Sequence, residues 1–592
     1  METPREDGDV HNITLLETAS SVYTKSERLS TDDDASTAYL PVNVDSPATY
    51  THRDDLRGST VSMKADELFP TARRSSLLRG VSKGGNIGLL INYMALGGVH
   101  ALMQALLYPF LKIYLNMDEY HAASAETIVL LPWSFKVVAA FVSDCFPLRG
   151  RRRKPYMLGG WAMCLLFSLV IACLPSETPY FSKGTITNPK ADEAGGKYIA
   201  LFFMASVGLV IADVACDAVT VELTYLEPNS TRGTLLLMTF MARYGAHAFM
   251  TFLAAFLCNS DVYGGTFGWG APINGMQVIS TLLAVGAMAA TWFWIMDIPH
   301  HYQPTRASLE SSRHTTAPPS LRELIQALWQ LLQRRSMWQM MIVVFLMRVC
   351  SNYYVSSTKV VYEVWLSMRP LLSQLFSVLN SVLFVVAAFL LRHRQALFEM
   401  SWRRLIIIST LASIGITLII TLFTVWNLIR SSALALIFEQ AIGFVDAFAY
   451  YVLALAMVEA TEPGFEATTY SLLTTLANVA IPMAVSLSQS IGEHFDTYDS
   501  EWQSDTTTVR WKVMYSFFLW VFVRLLGLAV LPLFPDQKPA VRQLKETGGT
   551  QKKAAMYVCG AAVFTILWSL FTTFLASFER TACLTVSGGE GC

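Results

Sequence analysis

Long apolar blocks alternate with short polar segments over most of this chain, after a polar beginning. Residues 1–80 show no apolar periodicity and contain the acidic run Asp32-Asp33-Asp34, so we predict a disordered tail there. A block of about 20 apolar residues is long enough to cross a bilayer as a helix. The blocks predict thirteen such spans, at about 87–115, 122–143, 155–175, 197–224, 234–258, 272–296, 337–366, 371–391, 403–426, 433–459, 468–491, 511–533 and 555–577.

The first twelve spans form two groups of six. We predict an N-terminal half at 87–296 and a C-terminal half at 337–534, joined by a central loop at 297–336. Leucines at helical intervals in that loop, after the capping-box spacing of Ser320 and Glu323, indicate an amphipathic helix on the membrane surface. Residues 535–592 would supply a linker, the thirteenth span and a short tail outside the cytoplasm. The predicted fold class is an all-α polytopic membrane protein.

Basic residues are concentrated in alternate loops, which predicts the orientation. They lie before the first span, between the second and third, before the seventh, and between the eighth and ninth. Loops rich in Lys and Arg stay in the cytoplasm, so the N-terminus is predicted to be cytoplasmic. The beginning of the chain resembles neither a secretory signal nor an Arg-rich transit peptide, which favours the plasma membrane over an organelle.

The composition agrees with this class, since 53% of the residues are hydrophobic, 15% are charged and the mean hydropathy is +0.40. No GxxxxGK[ST] or HExxH motif occurs, and we predict no cofactor, no metal site and no enzymatic activity. Nothing indicates a nucleic-acid partner. Nine cysteines include no CxxC pair, and Cys583 and Cys592 bracket the Gly-rich tail, where a disulfide and two free thiols are both open.

Several charged residues fall inside predicted spans, where each costs about 2.5–3.5 kcal/mol unless it faces water or an opposite charge. Those we single out are Asp213, Asp217, Glu222, Lys136, Arg243 and Arg348. Asp213 and Asp217 are four residues apart and share a helical face. Two adjacent carboxylates resist joint ionisation, so we predict that they couple transport to protons, with Asp213 ranked first because it lies further from the cytoplasmic end. The alternative is that one or both form structural ion pairs.

Three cations are predicted to bind an anionic substrate. Arg348 is the first choice because it lies centrally in the seventh span and has a planar fork that suits carboxylates, with Arg243 next. Lys136 follows Pro132 in the second span and could bind substrate, although an ion pair with Asp213 or Asp217 is the plainer interpretation. Rings in the probable cavity helices could stack on a flat heterocycle; they are Tyr353, Tyr354, Tyr450 and Tyr451.

Several motifs resemble those of the folate–biopterin transporter family. One run extends over the second span and the following loop, as Leu131-Pro132-Trp133-Ser134-Phe135-Lys136, Ser143-Asp144-Cys145-Phe146-Pro147 and Gly150-Arg151-Arg152-Arg153-Lys154-Pro155-Tyr156. A second run extends from Asp213-Val214 through Asp217-Ala218 to Val221-Glu222 and ends in Arg232-Gly233. The resemblance covers about 87–534 and implies a major facilitator fold and uptake of folates or pterins, commonly linked to protons.

The loop that carries Asp144, Arg151 and Arg152 also resembles the wider superfamily's cytoplasmic motif, in which the acid and the arginines form a gating charge cluster. Glu222 lies near the inner boundary, where we expect it to join a cytoplasmic charge network with Arg232. These five residues are the predicted cytoplasmic gate.

The predicted function is therefore secondary active transport of a folate or pterin, as a proton symporter working by alternating access. Its partners would be the small-molecule substrate, protons and membrane lipid. One alternative is a carrier for another organic solute such as S-adenosylmethionine, a cation that would need cavity acids more than Arg348. Another is an intramembrane enzyme using the Asp213/Asp217 pair, although these two acids share one helix, whereas catalytic dyads usually come from facing elements.

Overall fold

A computed structural model of the protein describes residues 86–182, 185–295, 321–355, 357, 361, 365–366, 370–492, 505–576, 578–582 and 584. The predicted N-terminal tail, most of the central loop and the Cys583–Cys592 pair lie outside these residues. Among the described residues, eleven helical segments are long and apolar enough to cross a membrane. The protein is an integral, multi-pass membrane protein of the predicted all-α class.

The first half contains seven numbered helices, and five of its helical segments are long and apolar enough to cross a membrane. They are α1 (Asn86–Tyr108), α2 (Glu119–Leu130), α3 (Lys136–Cys145), α4 (Lys154–Cys173), α5 (Gly195–Leu226), α6 (Thr234–Leu257) and α7 (Ile273–Trp294). A π-helical segment, Pro109–Tyr114, extends α1. The 3-10 segment Leu131–Phe135 joins α2 to α3 at Pro132, a residue that has no backbone N–H to continue an α-helix.

The second half follows a surface helix and repeats the six-helix pattern. The elements are α8 (Leu321–Leu332), α9 (Arg335–Asn352), α10 (Pro370–His393), α11 (Trp402–Val425), α12 (Ser432–Ala460), α13 (Glu466–Gly492) and α14 (Thr507–Leu528). The chain ends in α15 (Lys538–Thr547) and α16 (Lys552–Ala576). Between α4 and α5 lies a hairpin of two-residue strands, β1 (Phe181–Ser182) and β2 (Thr185–Ile186), paired antiparallel.

Each half has its own apolar core. In the first half, α1 packs on α6 and α7, and α4 packs on α5 and α7. Close helix contact explains two glycines here, because a methyl group at Gly160 or Gly208 would lie 2.5 Å from a backbone nitrogen of the facing helix. In the second half, α12 packs on α10 and α11, and α9 packs on α13 and α14.

Two contact zones join the halves and enclose a space between them. Helix α6 packs along α10, while α13 packs against α3, α5 and the 3-10 segment. Helix α16 lies outside both halves, against α13, α2 and α9. The amphipathic α8 is present as predicted, with its cap residue Ser320 outside the described part of the chain, and it exposes Leu321 and Ile325.

Candidate functional site

A cavity of about 750 Å³ lies between the two halves. This volume is within the usual range for sites that enclose a small organic molecule. Its wall is built by side chains from α1, α2, α3, α5, α6, α9, α12, α13 and α16. The cavity therefore depends on both halves and on the extra C-terminal helix.

A cluster of four charges forms one part of the cavity wall. Lys136 Nζ lies 2.5 Å from Asp213 Oδ2 and 2.8 Å from Asp217 Oδ2. Arg243 Nη1 lies 2.8 Å from Asp213 Oδ1, and the Tyr93 hydroxyl donates to Asp217 Oδ1 at 2.8 Å. With all four groups ionised, two carboxylates balance two cations. The cluster therefore carries no net charge, which lowers the cost of placing it inside the membrane.

The two carboxylates differ in their access to the cavity. Asp213 is completely buried, whereas Asp217 is 8% exposed and lines the cavity together with Lys136 and Arg243. The sequence ranks Asp213 first as a proton site, but the geometry favours Asp217, because a proton must reach the group through water. Lys136 forms ion pairs with both acids, as the plainer interpretation of the sequence expects. A substrate anion would have to compete with Asp213 and Asp217 for Lys136.

Close packing of α1 on α6 positions Arg243. Gly97 of α1 lies against the Arg243 carbonyl so closely that any larger residue there would collide with the α6 backbone. The Arg243 guanidinium and the Lys136 ammonium also lie over the Trp133 ring, each 5.4 Å from its centroid. These contacts fix both cations beside the acids rather than leaving them free to follow a substrate.

Arg348 differs from these two cations because no described side chain forms an ion pair with it. Its guanidinium lies 5.8 Å from the centroid of the Tyr450 ring, and its buried Nε has no hydrogen-bond partner in the described residues. An ion pair with Asp446, the structural alternative, does not form, because Asp446 instead contacts Arg524 at 2.9 Å. Arg348 is therefore the lining cation most available to an anion.

Aromatic rings surround the Arg348 side of the cavity. Tyr450 lies edge-on to Phe240 at 5.7 Å and to Tyr244 at 6.4 Å, and all three line the cavity. Of the four tyrosines noted in the sequence, Tyr450 is the one that lines it, since Tyr451 and Tyr353 are buried in the apolar cores. Flat faces beside a cation suit a planar, anionic molecule.

Asp144 joins the two halves at the helix ends that the sequence predicts to be cytoplasmic. Its Oδ1 lies 2.7 Å from both Arg152 Nη2 and Arg153 Nη2. Its Oδ2 accepts hydrogen bonds from the Thr468 backbone N–H at 2.7 Å and hydroxyl at 2.6 Å. Because Thr468 lies in the first turn of α13 of the second half, the loop of the first half is bonded directly to the second.

The structure changes the membership of the predicted gate. Arg151 is exposed and forms no ion pair with Asp144, because the bend at Leu148–Arg151 directs Arg152 and Arg153 inward instead. Glu222 does not pair with Arg232, since Arg153 lies 2.8 Å from it. Burial opposes ionisation of Arg153, but Glu222 and Asp144 outweigh burial and raise the pKa of Arg153.

Arg232 belongs to a second charge cluster on the predicted cytoplasmic side, which α15 completes. Glu459 lies 3.5 Å from Arg232 and 2.8 Å from Arg542 of α15. Lys538 of α15 donates to the Arg232 carbonyl at 2.6 Å, and Lys545 donates to the Thr461 carbonyl at 2.5 Å. Burial lowers the pKa of Lys538 to about 8 and also lowers that of Lys545. Helix α15, in the linker before α16, thus packs against this end of the two halves.

Sequence reasoning missed several lining residues, because each looks ordinary in its own segment. They are His100, Gln104, Glu126, His247 and Tyr470. His247 lies 3.2 Å from the Ser381 hydroxyl and thus reaches across to α10 of the other half. Glu126 was the one detectable signal, since it is a carboxylate inside a predicted span.

Comparisons with known proteins agree with the fold and with the sequence motifs. A sequence model of the BT1 family matches residues 97–555. Probable folate-biopterin transporter 4 of Arabidopsis thaliana is 28% identical over 133 residues, 22% of this chain and 24% of that protein. Folate transporter 1 of Plasmodium falciparum is 26% identical over 150 residues, 24% and 26% respectively. The chain spans about a quarter of the length of these curated relatives.

Solved structures confirm the predicted major facilitator fold. The proton:xylose symporter XylE bound to 6-bromo-6-deoxy-D-glucose has a TM-score of 0.51 at 12% identity, over 82% of this chain and 99% of that one. A double-tryptophan variant of XylE gives a TM-score of 0.53 at 11% identity, over 80% and 98%. At such identities the likeness concerns the fold alone.

Proposed function

This chain belongs to the BT1 family, and we propose that it is a secondary active transporter that moves folates or pterins across the plasma membrane with protons. The observation that carries this proposal is the cavity between the halves. It combines Arg348, which no described carboxylate neutralises, with the flat faces of Tyr450, Tyr244 and Phe240. A folate presents carboxylates at one end and a planar heterocycle at the other. The carboxylates match Arg348, and the flat ring system matches the aromatic faces.

The four-charge cluster supports proton coupling through its charge balance. When one carboxylate of the Asp213/Asp217 pair takes a proton, the cluster changes from neutral to a net charge of +1. A positive cluster inside a low-dielectric wall attracts an anionic substrate. Proton binding and anion binding would then each strengthen the other, as reciprocal linkage requires.

The cytoplasmic ion pairs support alternating access. Asp144 and Thr468 join the halves on the predicted inner side, whereas the lining residues of α2, α13 and α16 extend toward the opposite ends of those helices. This arrangement fits a state closed to the cytoplasm. Transport requires a second state in which the cytoplasmic contacts are broken and the halves have rocked about the cavity.

Uptake by the full-length protein in proteoliposomes tests the proposal. Labelled folate, biopterin and S-adenosylmethionine would be offered with and without an imposed pH gradient. We expect folate and biopterin to accumulate and the gradient to raise their uptake. Accumulation of S-adenosylmethionine alone would identify a carrier for another organic solute. The relatives and the fold are those of transporters, which opposes the alternative of an intramembrane enzyme.

The membrane and orientation are also part of the proposal. A fluorescent tag on the N-terminus should mark the cell boundary, and protease added to intact cells should leave the tag in place. Labelling of an internal organelle would contradict the plasma-membrane assignment.

Replacing Arg348 with Lys should impair folate uptake strongly and biopterin uptake much less. Lysine keeps the charge but cannot hold a carboxylate with two parallel hydrogen bonds. A charge-assisted bond of about 1.5–3 kcal/mol corresponds to roughly a ten- to hundredfold loss of folate affinity. Initial uptake rates at varied substrate concentration measure both effects.

Arg524→Lys is the matched control for this prediction. Arg524 lies in the same half, pairs with Asp446 and does not line the cavity. Its replacement should affect the two substrates equally. Equal losses of folate and biopterin in Arg348→Lys would assign Arg348 a structural role and remove it from recognition.

A further inference from the structure

The thirteenth membrane helix forms part of the cavity wall. Helix α16 packs against α2 and α13, and its Ser569 and Thr572 line the cavity. Thr565, Ser569 and Thr572 recur at spacings of four and three residues, so they share one face, and all three are buried. The opposite face is apolar and exposed, as lipid contact requires; it carries Phe564, Leu567, Phe571 and Phe574. Two hydroxyls of this face therefore point to the cavity rather than to lipid.

Glu126 lines the same cavity from α2, the helix against which α16 packs. Unlike Asp213 and Asp217, it has no ion-pair partner among the described residues. An unbalanced carboxylate inside a membrane span is costly, and it persists where it faces water or a ligand. Thr127 beside it and Ser486 of α13 add further hydroxyls to this part of the wall.

We propose that Glu126, with Ser569 and Thr572 of α16, forms a second polar subsite that binds the hydrogen-bond-donating edge of a planar nitrogen heterocycle, namely the aminopyrimidine edge of a pterin. This subsite rests on the proposed transport function and deepens it. In this arrangement Arg348 binds the carboxylates of a folate, and the negatively charged Glu126 binds its heterocycle.

The chemistry of the two partners matches. The 2-amino group and the neighbouring ring N–H of a pterin are two parallel donors, and a carboxylate offers two parallel acceptors at the same spacing. The Thr572 hydroxyl donates to the Ser569 carbonyl at 3.0 Å, so its oxygen keeps its lone pairs for an incoming N–H. Burial of such a donor edge without acceptors would cost the substrate its hydrogen bonds to water.

Equilibrium binding to purified full-length protein tests the subsite with three probes. Folate has both the heterocycle and the carboxylates, biopterin has only the heterocycle, and p-aminobenzoylglutamate has only the carboxylates. Glu126→Gln should lower the affinity for folate and for biopterin by roughly ten- to a hundredfold, since one charged acceptor pair is lost. It should leave p-aminobenzoylglutamate unchanged. Arg348→Lys should weaken folate and p-aminobenzoylglutamate and spare biopterin.

Helix α16 offers a matched pair of variants. Thr572→Val should lower the affinity for biopterin several-fold, whereas Thr565→Val should leave it unchanged. The Thr565 hydroxyl donates to the Ala561 carbonyl and does not line the cavity. The melting temperature of Glu126→Gln should match that of the parent, since no ion pair is broken.

Two results would overturn the subsite while leaving the proposed function intact: unchanged biopterin binding in Glu126→Gln, or equal weakening of all three probes. If the parent protein binds none of the probes, the proposed function itself fails and the subsite fails with it.

Discussion

Asp217→Asn is expected to abolish proton-driven accumulation while sparing the exchange of labelled for unlabelled substrate. Asparagine keeps the shape of the side chain but can neither release nor accept the coupling proton. The cluster of Lys136, Arg243 and Asp213 would then hold a fixed net charge of +1, so substrate could still bind and cross. Uphill uptake under an imposed pH gradient and counterflow at equal pH, in the same proteoliposomes, separate the two outcomes.

The fully buried Asp213 should behave differently when it is replaced by Asn. It contacts both Lys136 and Arg243, whereas Asp217 contacts Lys136 alone, so the loss of Asp213 leaves Arg243 without an ion pair among the described residues. Breaking a buried pair in this way costs about 3–5 kcal/mol. We therefore expect a lower melting temperature in addition to lost coupling, whereas Asp217→Asn should fold nearly as well as the parent.

Tyr93→Phe is the control for both replacements, because it removes the hydroxyl that donates to Asp217 and leaves every charge in place. Proton-driven accumulation should survive in Tyr93→Phe, and the pH dependence of uptake should shift. If neither Asp213→Asn nor Asp217→Asn alters the pH dependence of uptake, the assignment of the proton site is wrong.

Asp144→Ala is expected to lower the maximal transport rate severely, with a much smaller effect on substrate affinity. The side chain accepts from Arg152, Arg153 and Thr468, and its removal leaves two buried guanidinium groups without their shared acceptor. The state closed to the cytoplasm would lose about 3–5 kcal/mol relative to the open one. The return step of the transport cycle would then limit the rate, and initial rates at varied substrate concentration measure both constants.

Arg151→Ala is the matched control, since this arginine belongs to the same loop but lies exposed and outside the network. It should transport at nearly the parental rate. A large loss of affinity at an unchanged maximal rate in Asp144→Ala, or equal effects of the two variants, would contradict the gating role.

The positions of the membrane helices could be predicted from the sequence for a direct physical reason. Inside lipid each backbone N–H and C=O must be satisfied within the span, so an apolar run of sufficient length forms a helix. Helices α6 and α9 are absent from the eleven most apolar segments, and they carry Arg243, His247 and Arg348, which line the cavity. Polar residues in an otherwise apolar run therefore indicated the cavity before any tertiary structure was known.

The choice of partners was decided by tertiary structure alone. Helical spacing places Asp213 and Asp217 on one face, but only packing of α3 and α6 against α5 brings Lys136 and Arg243 to them. The same holds for Asp144 and Thr468, which are separated by 324 positions along the chain. Charge alone could not predict that Glu222 contacts Arg153 rather than Arg232, because both cations belong to the same end of the membrane.

The sequence by itself determined the all-α class, the eleven segments able to cross a membrane and the short set of buried charges, because these depend on local apolar length and on the cost of a charge in lipid. The tertiary structure decided which charges neutralise each other, that Arg348 has no such partner in the described residues, and that α16 and Glu126 line the same cavity. Those features depend on how distant helices approach one another, and the hydropathy of a single helix carries no information about its neighbours.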